Sequence, residues 1–175
     1  MNTLRVRGTL VPVGSHVGKT LYVGADHRGF KLKEWLKPRL RKMGFRVVDV
    51  GTHSPKRVDY PVIALKVARP VGRSCGRKAV GLGVCGSSIG IALVAAKVPG
   101  VLPANPMSVA AARETRTHNN TNFLALSGDL TSPKRALAIA KAWLTRPFAA
   151  DPVRDARYIR RYLQTIRLDR GRPGR

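Results

Sequence analysis

Acidic side chains are scarce in this sequence: 9 Asp and Glu stand against 33 Lys and Arg, giving a formal net charge of +24. That imbalance predicts attraction to polyanions and phosphorylated ligands. Cysteine is nearly absent. Two residues, Cys75 and Cys85, provide no disulfide framework, so a reducing, cytoplasmic compartment is expected. No apolar run is long enough to span a bilayer, which excludes a transmembrane helix and predicts no membrane partner. Aromatic residues are also few. None interleaves with the arginines between Arg167 and Arg175, so single-strand nucleic-acid binding by stacking has no support there.

What the chain does have is apolar residues, 43% over 175 positions, enough for one domain with a sizeable core. Much of the charge sits at the ends. Residues 1–20 carry Arg5, Arg7 and Lys19 without an acid. This basic N-terminal extension lacks an amphipathic pattern and reads as a solvated arm, although organellar import stays open. Residues 167–175 form an arginine-rich tail, and nonspecific polyanion contact through both ends is expected. The domain proper spans residues 21–166.

Within it, strands and helices alternate. Leu21 to Gly24 is the first strand; Gly14 to Thr20 before it imitates a P-loop, but its glycine spacing is one short and a strand follows. Leu32, Leu36, Leu40 and Met43 then recur at helical spacing, with Lys31, Lys33 and Lys37 on the wet face. Pro38 should kink that helix and Gly44 cap its end. Arg46 to Val50 is a strand, Asp59-Tyr60-Pro61 opens a helix, and Ala79 to Cys85 is the central strand. A short strand at Gly100 to Ala104 follows. Asn105-Pro106 supplies an N-cap and first-turn proline for a helix ending near Thr117. Asn122 to Leu126 is the fifth strand, Ser132-Pro133 starts a helix, and Asp151-Pro152 starts the last one. This pattern predicts a single-domain α/β protein, a Rossmann-like three-layer sandwich around a five-stranded parallel sheet.

In such sheets ligands sit beyond the carboxyl ends of the strands, where Asp26, His27 and Cys85 all fall. Cys85 ends its strand before Gly86-Ser87-Ser88-Ile89-Gly90, a tight turn into a helix. Unpaired N–H groups at that helix start favour a thiolate, available as base or nucleophile. A small buried hydrophobe is the plainer reading of Cys85. Asp26 could merely cap the following helix, and His118 could cap the end of its own. Tyr60 could be a half-buried aromatic. In the last helix Ile159, Tyr162, Leu163 and Ile166 share one face, while Arg154, Arg157 and Arg161 stripe the other. Such a stripe is either solvated or a phosphate clamp for a second subunit.

Five segments in order resemble one family. They are Gly24-Ala-Asp26-His27-Arg28-Gly29-Phe30, Asp59-Tyr60-Pro61, Val84-Cys85-Gly86-Ser87-Ser88-Ile89-Gly90-Ile91, His118-Asn119-Asn120-Thr121-Asn122 and Arg157-Tyr-Ile-Arg-Arg161. Together, over Leu21 to Ile166, they are similar to the motifs of ribose-5-phosphate isomerase type B and its galactose-6-phosphate isomerase relatives. The resemblance implies a homodimer or dimer of dimers whose interfacial active sites need neither metal nor cofactor. It implies Cys85 as the base moving a proton between C1 and C2 of an open-chain sugar phosphate, with amides of the Gly86-to-Gly90 turn, Ser88 included, holding the enediolate. Ser87 would relay protons between the oxygens. Asp26 and His118 would assist ring opening, Tyr60 and Asn119 position the sugar, and His27, Arg157 and Arg161 hold the phosphate.

The chain also departs from that pattern. Ser88 stands at the second glycine of the turn, Ala96 at an asparagine, Leu102-Pro103 at Arg-Ala and Asn120 at a common aspartate. Asp129 falls where a phosphate-binding arginine is often found. Two functions therefore stand beside each other: a sugar-phosphate isomerase, favoured because Asp26, His27, Cys85 and His118 are all present, and a catalytically weakened basic relative that binds RNA or another polyanion.

Overall fold

The computed structural model describes residues 3–6, 8–148, 151 and 153–169. The chain opens with a hairpin, β1 (Thr3–Val6) and β2 (Thr9–Pro12), paired antiparallel. Then come β3 (Thr20–Ala25), α1 (Phe30–Lys42), β4 (Arg46–Asp49), α2 (Tyr60–Ser74), β5 (Ala79–Cys85) and α3 (Ile89–Ala95). The last part holds β6 (Pro103–Ala104), α4 (Val109–Asn119), β7 (Phe123–Ser127), α5 (Pro133–Thr145) and α6 (Ala156–Leu168). Five strands form a parallel sheet in the order β4-β3-β5-β7-β6, as the alternation predicts.

Helices cover both faces of that sheet. Leu32, Leu36 and Leu40 of α1 and Ala136, Ala140 and Trp143 of α5 pack with Leu21, Val80 and Leu124 on one side. On the other, Ile63, Val67 and Val71 of α2 meet Ile91 of α3 and Phe123. Each fully buried Leu, Ile, Val or Phe among them contributes about 1.5–3 kcal/mol. Every residue of β5 is buried, as the central strand of a doubly covered sheet must be.

Several local expectations change. The helix α1 runs on through Pro38, with Gly44 beyond its end at φ +85°. Lys33 is not on the wet face: it is 1% exposed, and its ammonium meets Asp49 of β4 at 2.6 Å and Glu34 at 2.8 Å. Asn105-Pro106 does not start α4; Ser108 does, its hydroxyl accepting from the Ala111 amide at 3.1 Å. That helix continues past Thr117 and takes in His118 and Asn119, with Asn120 capping it at φ +51°. A turn closed by the Asp151 carboxylate on the amides of Val153 and Arg154 precedes α6, whose N-cap is Asp155. Arg167, assigned to the tail, belongs to α6. Arg7, Pro152 and residues 170–175 lie outside the described residues.

The largest correction concerns the N-terminal segment, which is not a solvated arm. Val11 is fully buried in a third core with Phe148, Ile159, Tyr162 and Leu163. Polar contacts then lock the segment to the end of α4. Arg116, completely buried, donates to Gly14 O at 3.0 Å, Thr121 O at 2.7 Å and Asn120 Oδ1 at 2.8 Å. Lys19 Nζ donates to Gly76 O at 2.8 Å and to His16 Nδ1 at 3.2 Å, so the other imidazole nitrogen carries the proton and donates to Thr121 O at 3.1 Å. Burial, then Arg116 and Lys19, hold the His16 imidazole well below its ordinary pKa, and burial with Arg116 brings Lys19 down to about 8.

Candidate active site

The carboxyl ends of β3 and β5, with the loops after β3 and β7, form the floor of a cleft of about 820 Å³. Cys85 is the last residue of β5 and is 3% exposed. Its neighbour in register is Ser127, the last residue of β7, whose hydroxyl donates to Gly86 O. The Gly86-to-Ser88 turn follows, and the first amides of α3 have no acceptor within their own helix. Ser88 takes φ +70°, a left-handed conformation that suits glycine, so the turn is formed with serine in place. Its hydroxyl donates to Ser87 O.

The loop after β3 brings Asp26, His27 and Arg28 to the same cleft. Asp26 Oδ1 accepts from the Gly29 amide at 2.9 Å, the capping role read from sequence, while the residue also lines the cleft. His27 Nδ1 lies 3.2 Å from Val58 O, which fixes the ring to the segment leading into α2. Tyr60, the first residue of α2, lies against Gly90: a Cβ there would come 2.7 Å from the tyrosine Cζ. The absence of that methyl lets the phenol reach over the start of α3. The loops are tightly joined. A Cβ on Gly29 would fall 2.6 Å from Val84 O, and one on Gly128 would fall 2.6 Å from Arg28 O.

Of the residues singled out in sequence, Asp26, His27, Tyr60, Cys85, Gly86, Ser87 and Gly90 line this one cleft. Ser88 is buried beneath it as the N-cap of α3. His118, Asn119, Arg157 and Arg161 do not line it within the protomer. They lie along α4 and α6, where the His118 ring stacks on Tyr158 with centroids 4.5 Å apart. The Arg157 guanidinium lies 4.6 Å from the same tyrosine ring and donates to its hydroxyl at 2.6 Å. Arg157 and Arg161 are exposed, as the helical stripe predicts. Sequence reasoning gave no role to Arg28 or Arg57, which also line the cleft, and treated Asp129 only as a departure. Their signal was faint, since no spacing along the chain links Arg28 to Asp129, its ion-pair partner.

Lined by two arginines and by Asp26, Asp59 and Asp129, the cleft has no excess of positive charge of its own. Its rim is apolar: Ile89, Leu93 and Leu130 line it with more than half of their surface exposed.

Comparison with known proteins agrees with this architecture. The sequence pattern of the Ribose/Galactose Isomerase family matches residues 21–161. Ribose-5-phosphate isomerase B of Escherichia coli is 36% identical over 126 residues, which are 72% of this chain and 83% of that one. The Arabidopsis thaliana DNA damage-repair/toleration protein DRT102 is 39% identical over 128 residues, but the match spans only 40% of its length. Ribose-5-phosphate isomerase B from Mycoplasma genitalium, crystallised with bound ribulose-5-phosphate, superposes with a TM-score of 0.81 at 30% identity, over 87% of this chain and 97% of that one. The type B enzyme of Trypanosoma brucei gives 0.79 at 35% identity, over 87% and 99%. With its central strand, cysteine turn and cleft in place, the chain belongs to the ribose/galactose isomerase family.

Proposed function

We propose that this protein is an aldose–ketose isomerase interconverting ribose 5-phosphate and ribulose 5-phosphate. The observation that carries this reading is the position of Cys85, at the end of the central strand, on the floor of a cleft lined also by Asp26, Ser87 and Tyr60. The Cys85 thiolate takes the proton from C2 of the open-chain aldose, and the C2–H electron pair forms the C1–C2 double bond of an enediolate. Amides at the start of α3 stabilise the negative oxygen, which is fixed-dipole stabilisation of developing charge. Ser87 shuttles the hydroxyl proton from O2 to O1, and the thiol returns its proton to C1. Asp26 and His118 assist ring opening, while Tyr60 and Asn119 position the sugar.

The phosphate is held by His27 and by Arg157 and Arg161 of a second subunit. Two features support a homodimer, alone or paired into a dimer of dimers. The cleft has no excess of cations, and α6 exposes arginines that face away from their own core. The apolar rim of Ile89, Leu93 and Leu130 is a surface that a partner would cover.

Turnover of ribose 5-phosphate by wild type and by Cys85→Ala tests the reading. A methyl fills similar space but cannot accept a proton, so turnover is abolished while the fold remains. Iodoacetamide alkylates Cys85, and ribose 5-phosphate protects it. Full activity in Cys85→Ala overturns the mechanism. A salt series with RNA separates this reading from polyanion binding: contact through the basic ends weakens steeply with salt, whereas a single bound sugar phosphate responds little.

A further inference from the structure

Two arginines that line the cleft, Arg28 and Arg57, have no part in the reaction, and Arg28 is the one held beside the Cys85 turn. Arg28 follows Asp26 and His27 on the loop leaving β3, lines the cleft, and forms an ion pair with Asp129 on the loop leaving β7. The pair lies across the turn beside Cys85. A Cβ on Gly86 would come within 2.8 Å of both Arg28 Nε and Asp129 Oδ2, so only glycine lets the guanidinium rest on that backbone. Despite this contact the Arg28 side chain is 60% exposed, against 34% for Asp129. A guanidinium has five N–H donors, and one carboxylate does not use them all.

We propose that Arg28, oriented by Asp129, is a further anchor, beside His27, that the protomer itself supplies for the phosphate group of the sugar phosphate. This rests on the reading that the cleft takes such a substrate. A planar guanidinium fork matches two phosphate oxygens at once. Fixing one edge of it beforehand removes part of the side-chain entropy that binding would otherwise lose. Asp129 is thus a positioning residue, and its own charge is engaged by Arg28 rather than turned against the ligand. The guanidinium beside the Cys85 turn could instead stabilise charge developing at the reacting carbons. The two roles differ in kinetics: a group that holds substrate and transition state equally changes KM, whereas one acting only in the transition state changes kcat.

The experiment compares wild type, Arg28→Ala, Asp129→Asn and the double variant Arg28→Ala with Asp129→Arg, which moves the cation to the other side of the pair. KM and kcat for ribose 5-phosphate are measured, with competitive inhibition by inorganic phosphate. Arg28→Ala raises KM and the phosphate inhibition constant by about tenfold or more, and kcat changes far less. Asp129→Asn gives a smaller change of the same kind. The double variant recovers part of the lost affinity, which a merely structural role for Arg28 would not allow. Unchanged KM and phosphate inhibition in Arg28→Ala overturn the proposal, as does a loss confined to kcat. Tighter phosphate binding in Asp129→Asn overturns the positioning role. Calorimetric titration with inorganic phosphate keeps this test separate from the isomerase reading. If wild type turns over no ribose 5-phosphate, that reading fails, yet phosphate binding that disappears in Arg28→Ala still supports the anchor. Absence of phosphate binding in wild type overturns it.

Discussion

Asn120 and Pro12, 108 residues apart, are joined by one hydrogen bond: the Asn120 Nδ2 donates to the Pro12 carbonyl at 2.8 Å. The same amide accepts from Arg116 through Oδ1 at 2.8 Å. An aspartate, which the family pattern commonly has here, would offer the proline carbonyl no donor. The departure at 120 thus matches the extension that precedes the domain. Asn120→Gly, which keeps the left-handed backbone, should lower stability by about 1–3 kcal/mol through the lost buried hydrogen bonds. Hydrogen exchange should accelerate in β1 and β2 before it does in β5.

His16 should make that latch sensitive to acid. Its folded pKa is held well below the ordinary value, first by burial and then by Arg116 and Lys19. The unfolded chain therefore binds the proton more readily than the fold does. The His16 contribution to stability is fully present above about pH 6.5 and is lost as the pH drops below it. Thermal melting at pH 7.5 and pH 5 should show the decline, and His16→Gln should lessen it. An equal decline in the variant would assign the acid sensitivity to another group.

Ser88 occupies a left-handed conformation that disfavours side chains by about 1–2 kcal/mol. Ser88→Gly relieves that strain, whereas Ser88→Ala retains it and also loses the hydroxyl donated to Ser87 O. Urea denaturation should place Ser88→Ala below Ser88→Gly by about 1–2 kcal/mol. Equal midpoints for the two would show that the left-handed turn carries no such strain.

Sharing of the site between subunits can be read by complementation. Cys85→Ala and a double Arg157→Ala, Arg161→Ala variant should each be nearly inactive alone. With sites shared across a dimer, mixing after dissociation should give heterodimers in which one site is intact and the other carries both defects, and about a quarter of wild-type activity should return. No recovery in a mixture proven to contain heterodimers would place the arginines in the same subunit's site.

The parallel sheet was legible because apolar runs and helical stripes record each element's own burial. The spacing of Leu32, Leu36 and Leu40 located α1 correctly. What spacing cannot record is a partner on another element: Lys33 is buried because Asp49 of β4 meets it. The hairpin was not legible: the basic, acid-free residues 1–20 suggested a solvated arm, and only the fold brings Val11 of β2 against Phe148 and α6. Half of the candidate site was readable from strand ends and the Cys85 turn. The Arg28–Asp129 pair was not, because it joins loops from β3 and β7 that only folding brings together.

The backbone contacts at Gly29 and Gly128 have a consequence for how the protein fails under heat. The loop carrying Asp26, His27 and Arg28 rests on Val84 of β5, and the loop carrying Asp129 rests on Arg28, with no side chain between them to yield. The Asp26 amide donates to Val84 O at 3.1 Å and the Gly128 amide to Cys85 O at 2.8 Å, so opening either loop breaks hydrogen bonds to β5, and the floor of the cleft shares the cooperative unit of the central strand. Inactivation and global unfolding should therefore coincide in temperature, leaving no window in which a folded protein has lost its site.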